Sequence, residues 1–171
     1  MTDRSRRDFL IGTAGVGAAL TLPSGPVAAA RSPSMIQSRI RLGVASYSMR
    51  EFSRQYVIQA VRDLGTPYVN IKSFHQPYES SPEELAAGRH AFESAGLQIV
   101  GGGTITLQQD DDDDIRSYFE YARLSGMPLM VIAPTAQTMP RIERFVKEYG
   151  IEVAVHVHGP TDKYFPGPQD V

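Results

Sequence analysis

The chain has 171 residues, 42% of them hydrophobic, and a formal charge of −2. Lys plus Arg (17) falls just below Asp plus Glu (19), which excludes the basic footprint of a nucleic-acid-binding domain. With no cysteine, disulfides, thiolate metal ligands and a catalytic thiol are excluded as well.

Residues 1–30 read as an export address. Ser5-Arg6-Arg7-Asp8-Phe9-Leu10 matches the bacterial twin-arginine pattern, and an apolar Gly/Ala-rich run continues to Leu22. That run is too short and too weakly hydrophobic to span a membrane stably. Pro26-Val27-Ala28-Ala29-Ala30 offers a small-x-small cleavage site, so a mature chain beginning at Arg31 is expected. It would be exported by the twin-arginine translocase to the periplasm or another extracytoplasmic space, with no stable membrane span. The competing reading is a basic amphipathic N-terminal helix. Residues 31–39 form a polar leader before the domain that occupies 40–171.

From there strand and helix patterns alternate without a break. A first strand is expected over Ile40–Tyr47, with Gly43, Ala45 and Tyr47 on one face. A helix over about Ser53–Leu64 follows, its stripe Val57, Ile58, Val61 and Leu64, with Gly65 as the stop. The second strand spans Tyr68–Phe74 and the second helix opens on Ser81-Pro82-Glu83-Glu84, an N-cap, a proline and a capping-box glutamate. The third strand, Leu97–Leu107, contains Gly101-Gly102-Gly103. Glycines within a strand suit a close approach better than a phosphate loop. The acidic run Asp110–Asp114 opens a third helix, where carboxylates favour the macrodipole and are not read as a cation site. A fourth strand over Met127–Ala133, a fourth helix over about Pro140–Tyr149 and a fifth strand over Glu152–His158 complete the pattern. In the tail, Pro168-Gln169-Asp170-Val171 could begin another helix.

Repeated strand-plus-crossover units imply an α/β fold with a parallel sheet of five strands. A doubly wound open sheet fits this length. A (β/α)₈ barrel needs roughly 250 residues, so only its N-terminal portion would be present. No dinucleotide fingerprint follows the first strand, where Ala45-Ser46-Tyr47-Ser48-Met49-Arg50 stands instead.

The chemistry concentrates at strand ends. In the fifth strand, expected to be buried, Val153, Val155 and Val157 share one face while Ala154, His156 and His158 share the other. Two neutral imidazoles on one face could hold a divalent metal or be hydrogen-bonded structural groups. Asp162 and the His75 region are the nearest candidates for a further ligand, both in loops, and His90 reads as a surface residue. In the second strand Val69 and Ile71 belong under helices, which turns Asn70 and Lys72 to the opposite face with His75 just past the end. An unpaired ammonium is costly to bury, so Lys72 suits holding a carboxylate, phosphate or polarised oxygen; the plainer reading is a lysine snorkelling at a sheet end. Tyr47 would reach the same mouth.

Ile71-Lys72-Ser73-Phe74-His75 and His156-Val157-His158-Gly159-Pro160-Thr161-Asp162-Lys163 resemble the sugar phosphate isomerase/epimerase group of xylose isomerase-like TIM barrels, in its twin-arginine-exported subgroup. The resemblance covers about Ile40–Val171. It implies a barrel with a divalent metal (Mn, Mg, Co or Zn) at the C-terminal mouth and proton transfer on a sugar or polyol through an enediol. It implies His156 and His158 as metal ligands, Lys72 as a catalytic residue that also holds a substrate oxygen, and Tyr47 and His75 as substrate-binding residues. Histidine stands where the family places a strand-five carboxylate, and strands six to eight are not in the sequence. The expectation is therefore a fragment truncated after strand five, with weak or no turnover. The alternative is a non-catalytic periplasmic sugar-binding or scaffold protein of the same fold.

Overall fold

The structure, a computed structural model, describes residues 40–171. The export address and the leader lie outside the described residues. Five strands alternate with four helices: β1 Gly43–Ala45, α1 Arg54–Asp63, β2 Tyr68–Ile71, α2 Pro82–Ser94, β3 Gln98–Leu107, α3 Asp112–Leu124, β4 Leu129–Pro134, α4 Met139–Tyr149 and β5 Glu152–Val155. All neighbouring strands pair parallel in the order β1-β2-β3-β4-β5. The α/β alternation read from the sequence is therefore present as an open five-stranded parallel sheet. The order never reverses, so right-handed crossovers lay successive helices along one face. The reversal point at which a doubly wound sheet forms its crevice is absent from this order.

Burial follows the strand period. Val69 and Ile71 of β2, Ile99, Ile105 and Leu107 of β3, and Met130 and Ile132 of β4 are buried together with Val57, Val61, Phe92, Phe119, Ile142 and Phe145 from the helices. The opposite sheet face carries Asn70, Val100, Val131 and Ala133, all at least partly accessible. The helices form where their caps predict. Ser53 Oγ accepts from the Tyr56 amide, and Ser81 and Glu84 make a reciprocal capping box. Gly150 ends α4 at φ 66°, a conformation that favours glycine. Among the described residues no helix is long and apolar enough to cross a membrane.

Three strands are markedly shorter than the pattern predicts, each for a local reason. The first ends at Ala45 because Ser46 turns inward and is fully buried, drawing Ser46–Met49 into a 3₁₀ turn. The second ends at Ile71 because the Lys72 carbonyl accepts from the amides of His75 and Gln76, closing a turn. The fifth ends at Val155, and the His156 amide adds a last rung to the Ile132 carbonyl at 2.8 Å. It is also not the buried strand expected. Among the described residues it pairs only with β4, so its residues are partly or fully accessible. The tail forms a 3₁₀ turn over Pro168–Asp170.

Gly101 and Gly103 of β3 share a packing explanation, whereas a Cβ at Gly102 would meet the Met127 side chain. A Cβ at Gly101 would meet the Leu129 carbonyl at 2.8 Å, and at Gly103, where φ is +105°, the Val131 carbonyl at 2.2 Å. What approaches closely is the backbone of the neighbouring β4. The acidic run is likewise structural. Asp111 Oδ1 accepts from the amides of Asp113 and Asp114 at 2.9 Å, while Asp110 and Asp112 pair with Arg141 and Arg144 of α4.

Candidate functional site

In a parallel sheet of βα units the strand C-termini gather side chains at one edge, and that is where the polar groups converge. A cleft of about 520 Å³ is lined by Ala45, Tyr47, Ser48, Lys72, Thr104, His156 and His158. A second hollow of about 270 Å³ shares Tyr47, Lys72 and Thr104 with it and adds Ser73, Phe74 and Gly103. Residues after β1 and β2, within β3 and after β5 thus meet around one opening, with Lys72 common to both hollows.

The wall that carries Tyr47, Ser48 and Lys72 is fastened by a hydrogen-bond chain. Ser46 Oγ accepts from the Lys72 amide at 2.9 Å and lies 3.0 Å from His75 Nδ1. His75 Nε2 lies 3.1 Å from both the Met49 and the Phe52 carbonyls. Carbonyls only accept, so Nε2 carries a proton, and in the neutral ring Nδ1 accepts from the Ser46 hydroxyl. His75 is 2% exposed and spends both nitrogens on this chain. It lines neither of the two hollows. It positions the turn instead, because a ring buried with both nitrogens engaged has none left for a ligand.

A second set of contacts holds the loop after β2. Arg54 Nε donates to the His75 carbonyl at 2.6 Å, Tyr121 Oη to the Gln76 carbonyl at 2.7 Å, and Gln76 Nε2 to the Leu85 carbonyl at 2.7 Å. Gln76 is fully buried. Burial also pushes the Tyr121 hydroxyl pKa well up, so it remains a donor at any ordinary pH.

Of the residues singled out from sequence, Tyr47, Lys72, His156 and His158 come together. Tyr47 arrives on the 3₁₀ turn and not on the strand, half exposed, with the Arg50 guanidinium 4.9 Å from its ring centroid and Phe74 edge-on at 6.0 Å. Lys72 is partly buried, and burial lowers its pKa below the usual lysine value. Among the described residues no carboxylate pairs with its ammonium. Beneath it on the same face, Asn70 Oδ1 is buried with no donor among the described residues.

His156 and His158 pack edge to face, 4.5 Å between centroids at 90°. Asp162 Oδ2 accepts from the His158 amide at 3.2 Å and sits 3.0 Å from its Nδ1. Asp162 Oδ1 accepts from the amides of Tyr164 and Phe165 at 2.9 and 3.0 Å. These bonds, the Phe165 amide first, hold its carboxyl far below the usual range. Among the described residues no group of three or more His, Cys, Asp or Glu side chains is placed to hold a metal ion. Two imidazoles and a carboxylate already committed to backbone amides do not complete a divalent-metal site.

Ser46, Ser48 and Thr104 were not anticipated. Thr104 was readable in principle, since in Gly103-Thr104-Ile105-Thr106-Leu107 the threonines alternate with the buried Ile105 and Leu107. Ser46 carried no such signal, because its role depends on a partner 29 residues away.

No protein-family model matches the chain, and no curated protein does. Among solved structures the chain is similar to an uncharacterised protein from Parabacteroides distasonis, at 20% identity and a TM-score of 0.63. The match covers 69% of this chain and 53% of that one, so this chain spans about half that protein's length. At such identity the likeness shows the fold alone.

Proposed function

We propose that the cleft at the strand C-termini binds a small polyhydroxylated molecule of the sugar or polyol class. The observation that carries this reading is the meeting of Lys72, Tyr47, Ser48, Thr104, His156 and His158 around one opening with no carboxylate in its lining. Hydroxyl, imidazole and ammonium groups supply the donors and acceptors that such a ligand needs. An ammonium without a counter-charge favours a ligand oxygen carrying partial negative charge.

Proton transfer of the isomerase/epimerase kind is the activity that the sequence resemblance implies for such a ligand. In this chain Lys72 would hold the substrate oxygen, and His156 and His158 would be the ligands this chain offers to the metal. Among the described residues no carboxylate base lines the cleft, which supports weak turnover. The divalent metal belongs to the same proposal, and the described residues supply only part of a ligand set for it. Completion of the sheet to a barrel, twin-arginine export and an extracytoplasmic location also remain parts of this proposal, the last two resting on residues 1–30.

The test is calorimetric titration of the full chain with a panel of aldoses, ketoses and their matching polyols. Saturable binding that Lys72→Met weakens supports the reading. Absence of binding across the panel, or binding unchanged by Lys72→Met, refutes it.

A further inference from the structure

Lys72 differs from the chain's other lysines in its surroundings. Lys147 Nζ is paired with Glu143 at 2.7 Å, and Lys163 lies 5.0 Å from the Tyr164 ring centroid on the exposed tail. Lys72 alone lines a cleft, is common to two adjoining hollows, and has no ion pair among the described residues. An amine becomes a nucleophile when it sits desolvated and uncompensated beside a space large enough for an electrophile.

We propose that Lys72 forms an imine with the carbonyl carbon of an open-chain aldose or ketose held in the cleft. The inference rests on the reading of the cleft as a sugar or polyol site and narrows its ligand to the carbonyl-bearing members of that class. The Nζ lone pair attacks the carbonyl carbon, the carbonyl oxygen takes up a proton from water in the open cleft, and the nitrogen returns one to that water. The carbinolamine hydroxyl takes a proton from the same water and leaves as water while the nitrogen lone pair forms the C=N bond, and the iminium nitrogen then gives its proton back to solvent. One carbonyl compound and one amine give one imine and one water, with no change in oxidation state. Partial burial favours the neutral amine that begins the sequence, since it lowers the Lys72 pKa.

The experiment incubates the full chain with erythrose and cyanoborohydride, which reduces an imine to a stable secondary amine, and maps the mass gain by peptide. The expected result is an adduct at Lys72 ahead of Lys147 and Lys163. That adduct is lost in Lys72→Arg, which keeps the charge and cannot form the imine, and circular dichroism checks that the variant folds. Equal labelling of the three lysines, or none at Lys72, overturns the proposal. Calorimetry with erythritol, which has no carbonyl, separates the two readings. Erythritol binding without an adduct at Lys72 refutes the imine and leaves the binding site standing. Absence of both binding and adduct removes both.

Discussion

Replacing Gly88 by alanine tests the architecture that holds the loop after β2. Inside an exposed helix this change stabilises by about 0.8–1 kcal/mol, because alanine restricts the unfolded chain and suits the helix. Gly88 is buried within α2, and a Cβ there would lie 2.1 Å from Gln76 Oε1 and 2.9 Å from Gln76 Cδ and Arg54 Nη1. Gln76 is fully buried and cannot swing to solvent. It must shift and strain its bond to the Leu85 carbonyl. Overpacking costs about 1–3 kcal/mol and a weakened buried hydrogen bond about 1 kcal/mol more. The net expectation is destabilisation of about 1–3 kcal/mol, or a drop in Tm of roughly 3–10 °C for a domain of this size. Thermal unfolding followed by circular dichroism measures it. The double variant with Gln76→Ala sharpens the test, since Gly88→Ala should become neutral or stabilising once the amide is gone. An unchanged or raised Tm for Gly88→Ala, or the same loss in the Gln76→Ala background, would refute the contact as the cause.

Ser46→Ala leaves the Lys72 amide and His75 Nδ1 without their shared hydroxyl, so a loss of about 1–3 kcal/mol is expected in chemical denaturation. A value within error of the parent would remove Ser46 from its role. Gly103→Ala places a Cβ 2.2 Å from the Val131 carbonyl at a φ of +105°. It should cost more than about 3 kcal/mol and abolish soluble expression or cooperative unfolding. The depressed Asp162 carboxyl predicts a pH response confined to the tail. Its folded-state pKa lies below the unfolded one, so its contribution is complete above the ordinary carboxylate range and is lost as the pH falls below it. Protection of the Tyr164 and Phe165 amides, taken relative to the intrinsic exchange rate at each pH, should therefore fall in acid, and Asp162→Asn should lower it at neutral pH. Protection unchanged in both cases contradicts the assignment.

Much of this fold was legible because it is local. The stripe Val57–Val61, the Ser81–Glu84 box and the glycines after each helix encode helices by short-range chemistry, and the alternation of Val69 and Ile71 with Asn70 and Lys72 encodes the faces of β2. Convergence of Lys72 with His156 and His158 followed from the same alternation, since parallel strands bring their C-terminal ends to one edge. The fate of His75 was not legible. Its burial depends on Ser46, Met49 and Phe52, which precede it by more than twenty residues and meet it only after the 3₁₀ turn forms. The length of the fifth strand was overestimated because Val153, Val155 and Val157 suit a strand whether or not a second neighbour covers it. Asp162, four residues past His158, turns the chain there by accepting its amide.

The proposal that Lys72, His156 and His158 face one ligand is tested most directly by NMR of the histidine side chains as the full chain is titrated with a small aldose and its polyol. Saturable shifts at His156 and His158, with His75 and the surface residue His90 unmoved and the response lost in Lys72→Met, are the predicted result. Imidazole signals of His156 and His158 that stay fixed through the titration, or that move no more than His90, would contradict it.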